Sequence, residues 1–231
     1  MKTAVVTGAS SGIGEAIALR LLTLGYCVIG ISRRTATIEH PHFTTHSCDL
    51  SQPHETHALI QSLQQDKSIS LLVNAAGFGV FQPHEDLNSR TIEAMVYLHL
   101  TAPMLLSNAL LRTLKKNSGC IINITSIEAT RSSKFSALYS ATKSGLRAFG
   151  AALFEELRKS DVSVVTINPD MTDTPFFDAL HFETAVEENS RLQSSDIADA
   201  IEQILSMREG VVVSEMTVRS QRFGIRKKVK R

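Results

Sequence analysis

The stretch that decides the fold is Thr3-Ala4-Val5-Val6-Thr7-Gly8-Ala9-Ser10-Ser11-Gly12-Ile13-Gly14. Residues of strand composition run into a turn that carries Gly8, Gly12 and Gly14. Beyond it, Ile13, Ile17, Leu21 and Leu24 recur at offsets of four, four and three, which puts them on one face of a helix. Gly25 stands where such a helix stops. A glycine-rich turn between strand and helix lets the backbone approach a pyrophosphate, and the helix N-terminus adds free N–H groups and a positive dipole end. The bare alternative is an ordinary tight connection. The preceding strand and following amphipathic helix favour nucleotide binding at Gly8, Ser10, Ser11, Gly12, Ile13 and Gly14.

Working outward, apolar runs of strand length alternate with longer amphipathic segments. The predicted strands are Thr3–Thr7, Cys27–Ile31, Phe43–Cys48, Ser70–Val73, Cys120–Thr125, Val162–Ile167 and Val211–Ser214. They are rich in Val and Ile and mostly continuous, as strands covered on both faces are. Helices are expected at the first turn, over Asn88–Lys116 with a bend or break at Pro103, over Ala137–Lys159 and over Asp196–Met207. The expectation is an α/β fold: a single doubly wound parallel sheet of about seven strands with helices on both faces, Rossmann-like. Residues 1–219 form one predicted domain and residues 220–231 a basic C-terminal tail.

Composition sets outer limits. With 231 residues, 43% hydrophobic and 20% charged, the chain can bury one large core, which excludes a disordered or disulfide-stapled protein. The 24 basic and 23 acidic residues leave a net charge of +1, so no nucleic-acid or anionic-membrane partner is expected. Cys27, Cys48 and Cys120 are widely spaced and read as core thiols rather than a framework or zinc site. The eight histidines show no metal-ligand spacing, so no metal is expected. With no signal segment and no stretch of membrane-spanning length recognised, the reading is a cytoplasmic protein.

Further motifs fall at strand ends. A dinucleotide fold places an acid on the adenosine ribose about 20 residues past the glycine turn. This chain has Ser32-Arg33-Arg34 there instead. Two guanidinium groups beside a hydroxyl suit a 2′-phosphate, which favours NADP over NAD; the alternative is a pair of solvated loop arginines. The third strand ends at Asp49-Leu50, with Asp49 placed to accept from an adenine amino group. The fourth ends at Asn74-Ala75-Ala76-Gly77, where Asn74, Ala75 and Gly77 would shape the wall behind the adenosine. Tyr139 and Lys143, four apart, share a helical face. An ammonium near a phenol favours the phenolate and brings it toward the range useful for acid–base work. Ser126, just after the fifth strand, opens on the same crevice.

Together these residues resemble the short-chain dehydrogenase/reductase family in its main, single-domain type. The resemblance rests on Thr-Gly-x-x-x-Gly-Ile-Gly at 7–14, Asn-Ala-Ala-Gly at 74–77, Tyr-Ser-Ala-Thr-Lys at 139–143, and Ser126 thirteen residues before Tyr139. Asn168-Pro169-Asp170-Met171-Thr172-Asp173-Thr174 resembles the segment that wraps the nicotinamide, with Pro169, Thr172 and Thr174 as cofactor contacts. The resemblance runs from Thr3 to about Val218. It implies hydride transfer between NADP(H) and a small carbonyl or alcohol, with Tyr139 as acid–base, Ser126 positioning the oxygen, and Lys143 holding the ribose. It also implies a homodimer or homotetramer; the stripe Leu146, Phe149, Leu153 and Leu157 serves that interface or else faces the sheet.

Two positions depart from the family pattern. His99 stands where the family has an Asn whose backbone carbonyl feeds a water relay, and is expected to keep that carbonyl. Asp170 replaces a Gly, so its carboxylate lies beside the nicotinamide or points to solvent. These departures support the alternative of an NADP(H)-binding sensor with impaired chemistry. On the substrate side, Phe176, Phe177, Leu180 and Phe182 fall in a short lid over Pro175–Ser195, which suits a small compound. Glu128 and Arg131 either touch it or are solvated. The run Arg226–Arg231 reads as a solvated tail.

Overall fold

The computed structural model describes residues 1–131 and 133–228. The main sheet is built from β1 (Thr3–Thr7), β2 (Cys27–Ser32), β3 (Phe43–Ser47), β4 (Ile69–Asn74), β5 (Cys120–Ile124), β6 (Ser163–Pro169) and β7 (Glu215–Val218). The helices are α1 (Gly12–Thr23), α2 (Pro53–Leu63), α3 (Ser89–Val96), α4 (Ala102–Lys116), α5 (Ala137–Leu157) and α6 (Ser194–Leu205). The seven strands lie in the order β7-β6-β5-β4-β1-β2-β3, and every neighbouring pair is parallel. Strand order reverses between β1 and β4. That is the switch point where α/β sheets open a crevice at their carboxyl ends.

The continuous apolar strands are explained by two cores. Successive side chains point to opposite faces, so Val6, Val73, Ile122 and Val165 join Ile17, Leu21, Ile197 and Ile201 of α1 and α6. Val5, Leu72, Ile121 and Val164 join Leu59, Leu106, Leu110, Leu153 and Leu157 of α2, α4 and α5 on the other face. The stripe Leu146, Leu153 and Leu157 is therefore buried, and Phe149 packs on the same core. Of its two readings, the stripe faces the sheet.

Three elements differ from the sequence reading. The last strand is Glu215–Val218, not Val211–Ser214. As an edge strand it needs only alternate apolar residues, half-buried Met216 and Val218, whereas Val212 and Val213 pack on the core from a connecting segment. The helix α2 has no counterpart in the reading, because only Thr56, Leu59 and Leu63 are buried along its polar length. The bend before α4 is a π-helical turn at Tyr97–Thr101, with Pro103 in the first turn of α4. Pro103 has no N–H, so the His99 carbonyl cannot receive the usual bond from four residues on.

The expectation about membrane-spanning length is also corrected. The helical run Ser89–Lys116 has 28 residues and a window of mean hydropathy 1.4, long and apolar enough to cross a membrane. Its residues Leu106, Leu110 and Leu114 are spent on the core beneath β4 and β5.

The start of α1 depends on an absent side chain. A Cβ on Gly14 would stand 2.3 Å from the Gly8 carbonyl oxygen, backbone that cannot yield cheaply. Gly14→Ala should therefore cost about 1–3 kcal/mol, read as a lower urea midpoint with an unchanged slope.

Candidate active site

The carboxyl ends of the central strands open on one cavity of about 1100 Å³. At its inner edge Gly8 and Gly12 adopt φ of +75° and +60°, left-handed backbone that suits glycine. Ser11 caps α1 without a side-chain bond, so the first N–H groups of the helix remain available toward the cavity. The turn is pinned by Thr7, whose Oγ1 accepts from the N–H groups of Ala75 at 2.9 Å and Ala76 at 3.0 Å. The motif contains Thr7 without giving it a task of its own; a hydroxyl at the end of a strand, beside the loop of the neighbouring strand, is the available signal.

Ser10, Ser11, Gly12, Ile13, Gly14, Ser32, Arg33, Arg34, Asp49, Leu50, Ala75 and Gly77 all line this cavity with Gly8. Ser32 donates to the Arg34 carbonyl at 2.6 Å and Ser47 to that of Arg33 at 3.2 Å. The two guanidinium groups are exposed and have no acidic partner among the described residues. Asp49 Oδ1 accepts from the Ser51 N–H and hydroxyl. Asn74 does not reach the cavity. It is buried and donates to Asn123 Oδ1 at 2.9 Å, which ties β4 to β5.

At the far end Ser126, Tyr139, Pro169, Thr172 and Thr174 line the same cavity. The Tyr139 ring stands 5.1 Å from Phe81, 5.9 Å from Phe176 and edge-on at 5.6 Å from His99. Lys143 lies behind the wall, its Nζ donating to the Ile124 carbonyl at 3.0 Å and sitting 5.9 Å over the Tyr139 ring. The expected lowering of the Tyr139 phenol is not found in the protein alone. Burial pushes that phenol up, the Ser126 hydroxyl opposes and Glu128 adds to the rise. Burial also lowers the Lys143 ammonium to about 8. Desolvation is the largest cause at both groups.

His99 is held as a neutral ring. Its Nε2 accepts from the Phe78 N–H at 3.1 Å, so Nδ1 carries the proton and donates to Thr142 Oγ1 at 3.1 Å. Burial, then Lys143, drives its pKa well below the ordinary imidazole value. The side chain thus joins the loop after Asn74-Ala75-Ala76-Gly77 to the helix that carries Tyr139.

Asp170 lines the cavity beside Pro169 and Thr172, and its carboxylate is not free in solvent. It is buried, accepts from the Met171 N–H at 3.0 Å, and pairs with Arg219 Nε at 3.0 Å. Glu128 is likewise buried and engaged by Arg131 Nε, Ser133 and Ser140. Among the described residues no group of potential metal ligands assembles.

The run read as a solvated tail departs from that reading where it is described. Ile225–Lys227 pairs antiparallel with Phe182–Thr184, and Lys228 Nζ donates to the Asp178 carbonyl at 3.0 Å. An edge of the lid was open for pairing, and a short basic strand meeting Glu183 satisfies it. Residues 229–231 lie outside the described residues.

Comparison with known proteins agrees with this architecture. The family model for short chain dehydrogenase matches residues 2–184. The chain is 31% identical over 226 residues to an uncharacterized oxidoreductase of Staphylococcus epidermidis, covering 94% of this chain and 96% of that protein. A similar oxidoreductase of Staphylococcus saprophyticus is 33% identical over 230 residues, with 94% and 97% covered. Among solved structures, an alcohol dehydrogenase from Thermococcus sibiricus complexed with 5-hydroxy-NADP superposes with a TM-score of 0.83 at 26% identity, covering 95% and 97%. A 3-ketoacyl-(acyl-carrier-protein) reductase from Brucella melitensis complexed with NADH gives 0.83 at 26% identity, covering 96% and 98%. The chain belongs to the short-chain dehydrogenase family and is an oxidoreductase of that family.

The His99 geometry has a pH consequence. Unfolded, His99 takes a proton below about pH 6.5; folded, it resists one. Its contribution to stability is therefore intact above that pH and is lost as the pH falls, by up to about 1.4 kcal/mol per pH unit. Urea unfolding between pH 7.5 and 5 should show a steeper decline in the parent than in His99→Asn.

Proposed function

We propose that this chain is an NADP(H)-dependent enzyme that interconverts a carbonyl compound and its alcohol. The observation that carries the reading is the single cavity that joins the glycine turn and the Arg33–Arg34 end to Ser126 and Tyr139. The turn fits a pyrophosphate: two glycines in left-handed conformation, uncapped helix N–H groups, and a helix start that packs against the Gly8 carbonyl because Gly14 has no side chain. Arg33 and Arg34 fit a 2′-phosphate, because each guanidinium presents a planar fork and neither is engaged elsewhere among the described residues. Asp49 and Leu50 would flank the adenine, Ala75 and Gly77 the wall behind it, and Pro169, Thr172 and Thr174 the nicotinamide end.

Bound reduced nicotinamide supplies a hydride to the carbonyl carbon. The chain's own residues manage the oxygen. Tyr139 Oη gives its proton to that oxygen as negative charge develops, and the Ser126 hydroxyl donates a hydrogen bond that fixes its position. A phenol held protonated by burial is in the form that reduction requires. In the reverse direction Tyr139 Oη would accept the alcohol proton as a phenolate, a form that nearby positive charge favours. Lys143 would reach the ribose by turning its Nζ from the Ile124 carbonyl toward the cavity, and His99 keeps the loop at Phe78 and the helix bearing Tyr139 in register. Asp170 would lie at the nicotinamide end with its charge offset by Arg219.

Two substitutions test this assignment. Tyr139→Phe should lower turnover of any accepted ketone by at least about a hundredfold while NADPH affinity, read by its fluorescence, stays nearly constant. An active Phe variant would refute the role. Arg33→Ala should weaken NADPH about tenfold and leave NADH nearly unchanged. Equal losses for both cofactors would remove the 2′-phosphate assignment.

A further inference from the structure

The C-terminal segment has two faces with different tasks. Residues of one parity, Arg226 and Lys228, fasten it to the lid: Arg226 pairs with Glu183 at 2.5 Å, and Lys228 bonds the Phe177 and Asp178 carbonyls. Residues of the other parity, Phe223, Ile225 and Lys227, line the active-site cavity. That alternation is what an extended strand requires. Gly224 permits the approach, since a Cβ there would lie 2.6 Å from Ala185 Cβ.

The cavity face of this strap carries two largely exposed apolar side chains, with the Arg131 guanidinium 5.9 Å over the Phe223 ring. Phe223 is 61% and Ile225 48% exposed, and the other exposed phenylalanine among the described residues, Phe135 at 45%, lines the same cavity. Lys227 lies opposite Phe182 in the register, and Phe182 reaches Tyr139 through one ring, Phe81, at 5.2 Å and 5.1 Å. The acidic groups at this end are already engaged, Glu128 by Arg131 and Asp170 by Arg219. Lys227 and Lys134 have no acidic partner among the described residues, which leaves surplus positive charge at the mouth.

We propose that residues 223–227 form the outer wall of the substrate site and select a carbonyl compound whose apolar body ends in an anionic group, carboxylate or phosphate, received at Lys227. The carbonyl lies at Tyr139 and the anion across the Phe81–Phe182 rings, so an apolar spacer separates the two. This rests on the oxidoreductase reading of the same cavity.

The test is calorimetric binding to the full-length protein with NADP⁺ present, using 4-acetylbenzoate, 4-acetylphenyl phosphate and the neutral methyl 4-acetylbenzoate. At least one anion should bind about fivefold tighter than the ester, and the tighter of the two names the anion. Lys227→Gln should erase that preference while NADP⁺ affinity is unchanged. Gly224→Val should weaken the ester as well, because it lifts the apolar wall. Equal binding of acid, phosphate and ester, no binding by any of them, or a preference that survives Lys227→Gln would overturn the proposal. Turnover is followed separately: an anion preference that depends on Lys227 without any NADPH oxidation would leave the anion site at Lys227 standing and count against reduction of these ketones. Oxidation of NADPH with indifferent binding would do the reverse.

Discussion

Everything at the active site depends on how closely α1 approaches the turn that precedes it. The Gly8 carbonyl and the Gly14 Cα face each other with no room for a methyl group. That contact sets the start of the helix at the end of β1 and turns its unpaired N–H groups toward the crevice. Thr7 then ties the same turn to the Ala75–Ala76 backbone of the neighbouring strand's loop. The switch point of the sheet is thereby stapled from both sides, and the cofactor half of the cavity follows from it.

The substrate half is assembled by different means. Tyr139, Lys143 and Thr142 come from one helix, and their placement against the sheet is secured by polar contacts buried beneath it. Lys143 bonds the Ile124 carbonyl at the end of β5, and His99 bridges Thr142 to the Phe78 N–H. An imidazole bonded at both nitrogens has one tautomer and little freedom, so it serves as a brace. The same burial that fixes these groups pushes their ionisations away from the charged forms. The protein alone thus holds a neutral phenol.

Much of this was legible in the sequence, for reasons that can be named. Strands buried on both faces write their burial as unbroken apolar runs, and Thr3–Thr7 and Cys120–Ile124 lie within the predicted bounds or match them. The glycine turn and the Tyr139–Lys143 spacing are local, so a short window contains them. What was hidden depends on partners far along the chain. The edge strand Glu215–Val218 carries a weaker alternating pattern than the Val211–Val213 run beside it, and only pairing with β6 distinguishes them. Asn74 reads as a cofactor contact by position, but Asn123 on the adjacent strand captures it. Asp170 and Glu128 read as free acids until Arg219 and Arg131 fold onto them. A basic C-terminal run looks solvated when nothing in the local sequence says that the lid offers it an open edge.

The central claim is that one cavity holds the whole cofactor, with its 2′-phosphate at Arg33–Arg34 and its nicotinamide beside Tyr139. A crystal structure of the protein soaked with NADP⁺ tests it most directly. The account predicts the pyrophosphate against the N–H groups of residues 12–14, the 2′-phosphate between the two guanidinium groups, and the nicotinamide facing the Tyr139 hydroxyl. Density for the cofactor elsewhere, or a 2′-phosphate directed away from Arg33 and Arg34 into solvent, would contradict it.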